Sequence, residues 1–154
     1  MALEIFSTVP FYNPLVAGRF TDSNSSIGGG DAPIVWINKS FDTVGGMSMS
    51  NGVWVVGSGL GGKYHLHSQL VYSFSAAVVN NVVQNSIYVN GVATSQTINR
   101  LATSMTAQFC PVGDILQLAD GDNVVIKGSC NAGSPSLQSG NASQIYFSIF
   151  RLGN

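Results

Sequence analysis

Few side chains in this sequence are able to do chemistry, and their spacing limits what that chemistry is. His65 and His67, the two histidines, stand two residues apart. In an extended strand this spacing puts both imidazoles on one face, which is how a strand-borne metal site begins. A working site needs further protein ligands. Ser68, Gln69, Leu70 and Val71 follow instead, and there is no other histidine. A three-fold axis would multiply the ligands. Without one, the pair is the polar face of a strand, wet or hydrogen-bonded at a subunit contact.

The remaining constellations are weaker. Gly57-Ser58-Gly59-Leu60-Gly61-Gly62 fits the phosphate-cradling pattern G-x-G-x-x-G, but that chemistry needs a helix N-terminus after the glycines. The alternating run Tyr64-His65-Leu66-His67 follows, so the segment reads as a glycine-rich loop between strands. Asp120-Gly121-Asp122 puts two carboxylates in one turn. Calcium asks for more oxygens than these, and Gly and Asp belong in a tight turn on conformational grounds. The same two carboxylates are the only pair for glycosidase work, and nothing around them raises a pKa. Asp114, like them, falls in a turn. There is no G-x-S-x-G, and any serine nucleophile would have to share the two histidines. Cys110 and Cys130 fit no metal spacing. They read as free thiols, pairing only if their strands are neighbours. The expectation is no catalytic residue, no cofactor, no resident metal and no enzyme.

The elements that must hold these residues are strands. Short runs of Val, Ile, Phe and Tyr alternate with Gly, Asn, Asp and Ser clusters, and no window shows helical period with caps. The runs are Ile34–Ile37, Met47–Met49, Val53–Val56, Lys63–Val79, Ser86–Val89, Asp114–Leu118, Asn123–Lys127 and Gln144–Leu152. Asn51-Gly52 and Asn90-Gly91 carry the hairpin signature, because both residue types tolerate positive φ. In the long run Tyr64, Leu66, Leu70, Tyr72 and Phe74 share one face, and Lys63, His65, His67 and Gln69 share the other.

The last run carries Ile145, Phe147 and Ile149 on one face and Tyr146, Phe150 and Leu152 on the other. A strand of a sandwich that stands alone is apolar on one face only. A second apolar face asks for a second cover, and in a chain this short that cover is another subunit. The segment before Gly28-Gly29-Gly30 is apolar too: Leu3, Ile5, Phe6, Val9, Phe11, Tyr12, Leu15, Val16 and Phe20. Ordering about twenty residues is offset only if most of these side chains are buried. Residues 1–31 therefore read as an extended N-terminal arm with a glycine-rich hinge that docks on a partner, and 32–154 as the folded domain. Deleting residues 1–20 is expected to leave that domain folded.

Composition narrows the function. At 154 residues the chain is one domain. Only 8% of residues are charged, against about 25% in an ordinary soluble domain. Glu4 is the sole glutamate, and the six Lys and Arg are scattered without a basic patch, which argues against nucleic acid as partner. No apolar run reaches a membrane span, and the first residues lack the basic region of a secretory signal. The sequons at Asn24, Asn38 and Asn141 are expected to be fortuitous.

The run Gly62-Lys63-Tyr64-His65-Leu66-His67-Ser68-Gln69-Leu70 resembles the Gly-x-Tyr-x-Phe strand of the tumour-necrosis-factor-like superfamily, which includes the complement globular head. Ile87-Tyr88-Val89-Asn90-Gly91, then Leu118-Ala119-Asp120-Gly121-Asp122-Asn123-Val124, then Phe147-Ser148-Ile149-Phe150 match further segments in the same order, with Ile149 where the family has glycine. The resemblance implies an all-β, ten-strand jelly-roll β-sandwich assembled as a compact homotrimer. It implies a trimer interface of Tyr64, Tyr146, Phe150 and Leu152. The complement-type calcium site has no matching ligands.

A weakly charged jelly roll with a sticky arm is similar to the trimeric accessory proteins of tailed bacteriophages. The implied role is a capsid decoration (cement) protein of the virion surface, assembled in the host cytoplasm. Its arm residues Leu3, Ile5, Phe6, Val9, Phe11 and Tyr12 would meet the major capsid protein or another virion protein. The rival reading is the receptor- or glycan-binding tip of a phage fibre, with recognition carried by 129–144.

Overall fold

The computed structural model describes residues 15–23, 25, 27, 30–78, 80–101, 105–131, 135–138 and 144–154. Among the described residues, twelve strands run β1 (Ala17–Thr21), β2 (Ala32–Pro33), β3 (Asn38–Asp42), β4 (Met47–Ser48), β5 (Val53–Val55), β6 (Gly62–Val78), β7 (Val82–Val89), β8 (Val92–Arg100), β9 (Met105–Leu118), β10 (Asn123–Cys130), β11 (Ser136–Leu137) and β12 (Tyr146–Gly153). They form two six-stranded sheets. In the first, β9 lies beside the long β6, which pairs on its other edge with β12 and β11, and β12 is followed by β1 and β3. In the second the order is β8, β7, β10, then β5 and β2, then β4. Every pairing is antiparallel. Because β11 and β2 share an edge with longer strands, each sheet has five positions across.

The core lies between the sheets and is filled by alternating inward side chains. Trp36, Trp54, Tyr64, Tyr72, Phe20 and Phe147 are fully buried there. Phe147 stacks between Phe20 and Trp36, with ring centroids 6.1 and 6.2 Å away, and Trp54 meets Tyr64 edge to face at 5.6 Å. Each such side chain contributes about 1.5–3 kcal/mol by leaving water. Two polar side chains of the core hydrogen-bond across it. The Tyr72 hydroxyl donates to the Gln84 carbonyl, and Asn85 Nδ2 donates to the Cys110 carbonyl at 2.8 Å. One side of the sandwich is closed between β8 and β9, where Asn99 Nδ2 donates to the Phe109 carbonyl at 2.9 Å and the Ser95 hydroxyl donates to Asp114.

The structure revises the sequence reading in several places. Residues 17–21 are an interior strand, hydrogen-bonded to β12 on one side and β3 on the other, and Val16, Phe20 and Ile27 are core residues. The folded domain therefore begins before residue 32, and a deletion of 1–20 would remove most of β1. Ile34–Ile37 is not a paired strand. Ladder pairing covers Ala32–Pro33 and resumes at Asn38, and the stretch between crosses from one sheet to the other while sinking Ile34 and Trp36 into the core. β8 escaped the pattern because its side chains, Val-Ala-Thr-Ser-Gln-Thr-Ile-Asn-Arg, are mostly exposed or half-buried at a sheet edge. The hairpin signals hold. Asn90 and Gly91 both have positive φ between β7 and β8. Gly52, at φ 71°, sits where a Cβ would lie 2.0 Å from the Ile34 carbonyl oxygen, so no other residue fits.

Candidate functional site

The glycine-rich loop and the Asp-Gly-Asp turn meet at one end of the sandwich. Gly59 and Gly61 donate their backbone N–H groups to the Asp120 carboxylate, each at 2.6 Å. These hydrogen bonds hold the Asp120 carboxyl below the usual carboxylate range. The segment between Val56 and β6 is a glycine-rich loop between strands, as its sequence reads, and the anion its N–H groups hold is the protein's own Asp120 side chain. Asp122 accepts from Asn90 Nδ2 at 2.7 Å and from the Ala119 N–H at 2.8 Å. Two carboxylates so engaged act as clamps between loops. Among the described residues no group of three or more His, Cys, Asp or Glu is placed to hold a metal ion.

Tyr64 belongs to this end as well. Its ring is wholly buried and its hydroxyl donates to the Leu60 carbonyl at 2.5 Å. The side chain has no surface left for another subunit, so it is a core residue and not part of a trimer interface. Cys110 and Cys130 are both buried free thiols, and burial pushes the Cys110 thiol up to about 11.

The other residues expected at an interface come together on the outer face of the first sheet. The register builds cross-strand rows there: Ile115, His65, Phe150 and Ala17 in one, then Gly113, His67, Ser148, Arg19 and Phe41 in the next. Phe150 and Leu152 are 43% and 52% exposed, and Tyr146 is half-buried. Three more large apolar residues on this face went unnoticed in the sequence: Phe41, Phe109 and Ile115, the last 58% exposed. The signal was present, since Ile115 beside Leu116 and Leu118 makes β9 apolar on both faces, as β12 is.

The polar groups of the face are packed on one another. The His67 ring lies 5.4 Å from the Tyr146 ring, and the Arg19 guanidinium carbon lies 4.3 Å from the Tyr146 centroid on β12. Arg19 also donates to the Ser148 hydroxyl at 3.2 Å. His67 rests over β9 at Gly113, where a Cβ would come within 3.0 Å of its Cδ2. The absence of a side chain at 113 gives the imidazole its seat. Burial, then neighbouring His65, then Arg19 lower the His67 pKa. The arm residues Leu3, Ile5, Phe6, Val9, Phe11 and Tyr12 lie outside the described residues, as do Asn24 and Asn141 of the sequons.

No protein-family model matches the chain, and no curated protein matches it significantly. Solved structures do. The chain is similar to murine APRIL, in its crystal structure at pH 5.0, with a TM-score of 0.69 and 14% identity, over 90% of this chain and 100% of that one. It is similar to Eiger TNF from S. frugiperda with a TM-score of 0.66 and 15% identity, over 92% of this chain and 94% of that one. At such identities the likeness is one of fold, and it agrees with the strand order and the matched segments. This all-β chain has the tumour-necrosis-factor-like jelly-roll fold.

Proposed function

We propose that the chain is a structural protein which self-associates as a homotrimer and decorates the capsid of a tailed bacteriophage, docked at local three-fold positions of the shell. The observation that carries the trimer is the outer face of the first sheet. Phe109 and Ile115 of β9 and Phe150 and Leu152 of β12 project there on either side of β6, and exposed large apolar side chains gathered on one sheet face mark an interaction site. A cover from identical neighbours would be worth about 1.5–3 kcal/mol for each large side chain taken fully out of water. The docking function is supported by the apolar composition of residues 1–14, with Leu3, Ile5, Phe6, Val9, Phe11 and Tyr12 as contacts to the major capsid protein or another virion protein. Three arms on one trimer would raise avidity through effective concentration.

Light scattering tests the assembly. A particle of about three times 16.1 kDa is expected, and a monodisperse monomer would undo the reading. Co-sedimentation with undecorated phage shells tests the docking. The full chain should bind, and a chain lacking residues 1–14 should stay trimeric and fail to bind. Equal shell binding by the shortened chain would remove the arm from the mechanism. Saturable binding to host cells or glycans by the isolated trimer would favour the fibre-tip role instead.

A further inference from the structure

We propose that His65 and His67 make self-association of this chain sensitive to acid, holding the assembly at neutral pH and loosening it as the two imidazoles protonate. The inference rests on the reading of the first sheet's outer face as the subunit contact, and is independent of any capsid role.

Both rings stand on β6, between β9 and β12, in the middle of that face. The residues registered beside His65 are Ile115 and Phe150, both apolar. Those beside His67 are Gly113 and Ser148, with the Tyr146 ring against it. None of these neighbours is a carboxylate that would take up the charge of an imidazolium. Among the described residues, the other charged groups on the face are cationic: Arg19 on β1, over Tyr146, and Lys63 on β6. Asp114 of β9 is turned toward Ser95 at the sandwich edge. Neutral imidazoles can be covered by an apolar partner surface. Protonated, they would bring two new positive charges per subunit into a low-dielectric contact that already contains Arg19.

The direction of the effect follows from linkage. His67 is already shifted down in the single subunit by burial, by His65 and by Arg19, and covering the face adds burial and neighbouring charge. A histidine whose pKa is lower in the assembled state binds fewer protons there. Association is then strongest above the pKa of the free subunit and is lost as pH falls toward the pKa of the assembly. Each unit of depression corresponds to about a tenfold loss of association per histidine.

Sedimentation equilibrium at pH 7.5 and 5.0 on the full chain and on H65Q/H67Q tests this. The natural chain should be trimeric at pH 7.5 and should dissociate at least about tenfold more readily at pH 5.0. H65Q/H67Q should associate equally at both. A natural chain equally associated at both pH values overturns the proposal, and so does a double variant that still dissociates in acid. A chain monomeric at both pH values overturns the subunit-contact reading itself. If the double variant does not fold, NMR titration of the natural chain's histidine Hε1 signals decides. Both pKa values should be lower at concentrations where the chain is assembled than where it is dissociated, and equal values overturn the assignment.

Discussion

The glycine-rich loop shows how a side chain's partner changes its meaning. The sequence offered a phosphate-type loop and an isolated acidic turn, and neither had a chemical use alone. Their meeting is a long-range event, with Gly59 and Asp120 sixty-one positions apart, and no local pattern announces it. The consequence is a carboxylate stabilised in its ionised form. Because its pKa is depressed, the contribution is fully present above the ordinary carboxylate value and fades as pH falls through the folded one. Asp120→Asn keeps one acceptor and loses the charge. Thermal melts between pH 6 and pH 2 should show a flatter acid limb for this variant than for the natural chain. Tyr64 teaches the converse lesson. Its face was read correctly from alternation, but which of a strand's two faces is covered internally depends on the other sheet, which local sequence does not report.

At the scale of elements, strands with a buried apolar stripe were legible, whereas β1, β3, β8, β11 and the first part of β9 were not. β12 and most of β6 follow from alternation alone. β8 is a polar edge strand, and its extended form is imposed by hydrogen bonds to β7 and by side-chain bonds to β9 rather than by its own pattern. β1 was hidden inside an apolar segment without clear period, and its register against β12 and β3 is what makes it part of the domain. Two experiments separate arm from domain. Removing residues 1–14 should leave the circular dichroism spectrum and melting temperature nearly unchanged, whereas removing 1–21 should abolish the cooperative transition. Phe20→Ala, which empties a site stacked on Phe147, should cost about 3–5 kcal/mol in denaturant unfolding.

For the whole molecule, the low charge content acquires a physical sense. A chain with 8% charged residues has little with which to solvate both outer faces, and the first sheet spends one of them on exposed aromatic and aliphatic side chains. A single acidic substitution there should separate assembly from folding. Ile115→Asp is expected to shift the light-scattering mass from trimer toward monomer while the melting transition stays cooperative, because the native side chain is largely solvent-facing within one subunit. Loss of folding in that variant would instead place Ile115 in the core.

The pairing of β1 with β12 has one more consequence. The start of β1 lies against the end of β12, with the Arg151 N–H donating to the Val16 carbonyl at 2.9 Å, so both strands open at the end that carries the Asp120 clamp. Cargo fused after Asn154 would emerge beside Val16, at the same end of the sandwich as that clamp. A peptide spliced into the opposite pole, where β10 ends at Cys130, would point away from that end. For anyone using this chain as a display scaffold, the opposite pole is the place to load it.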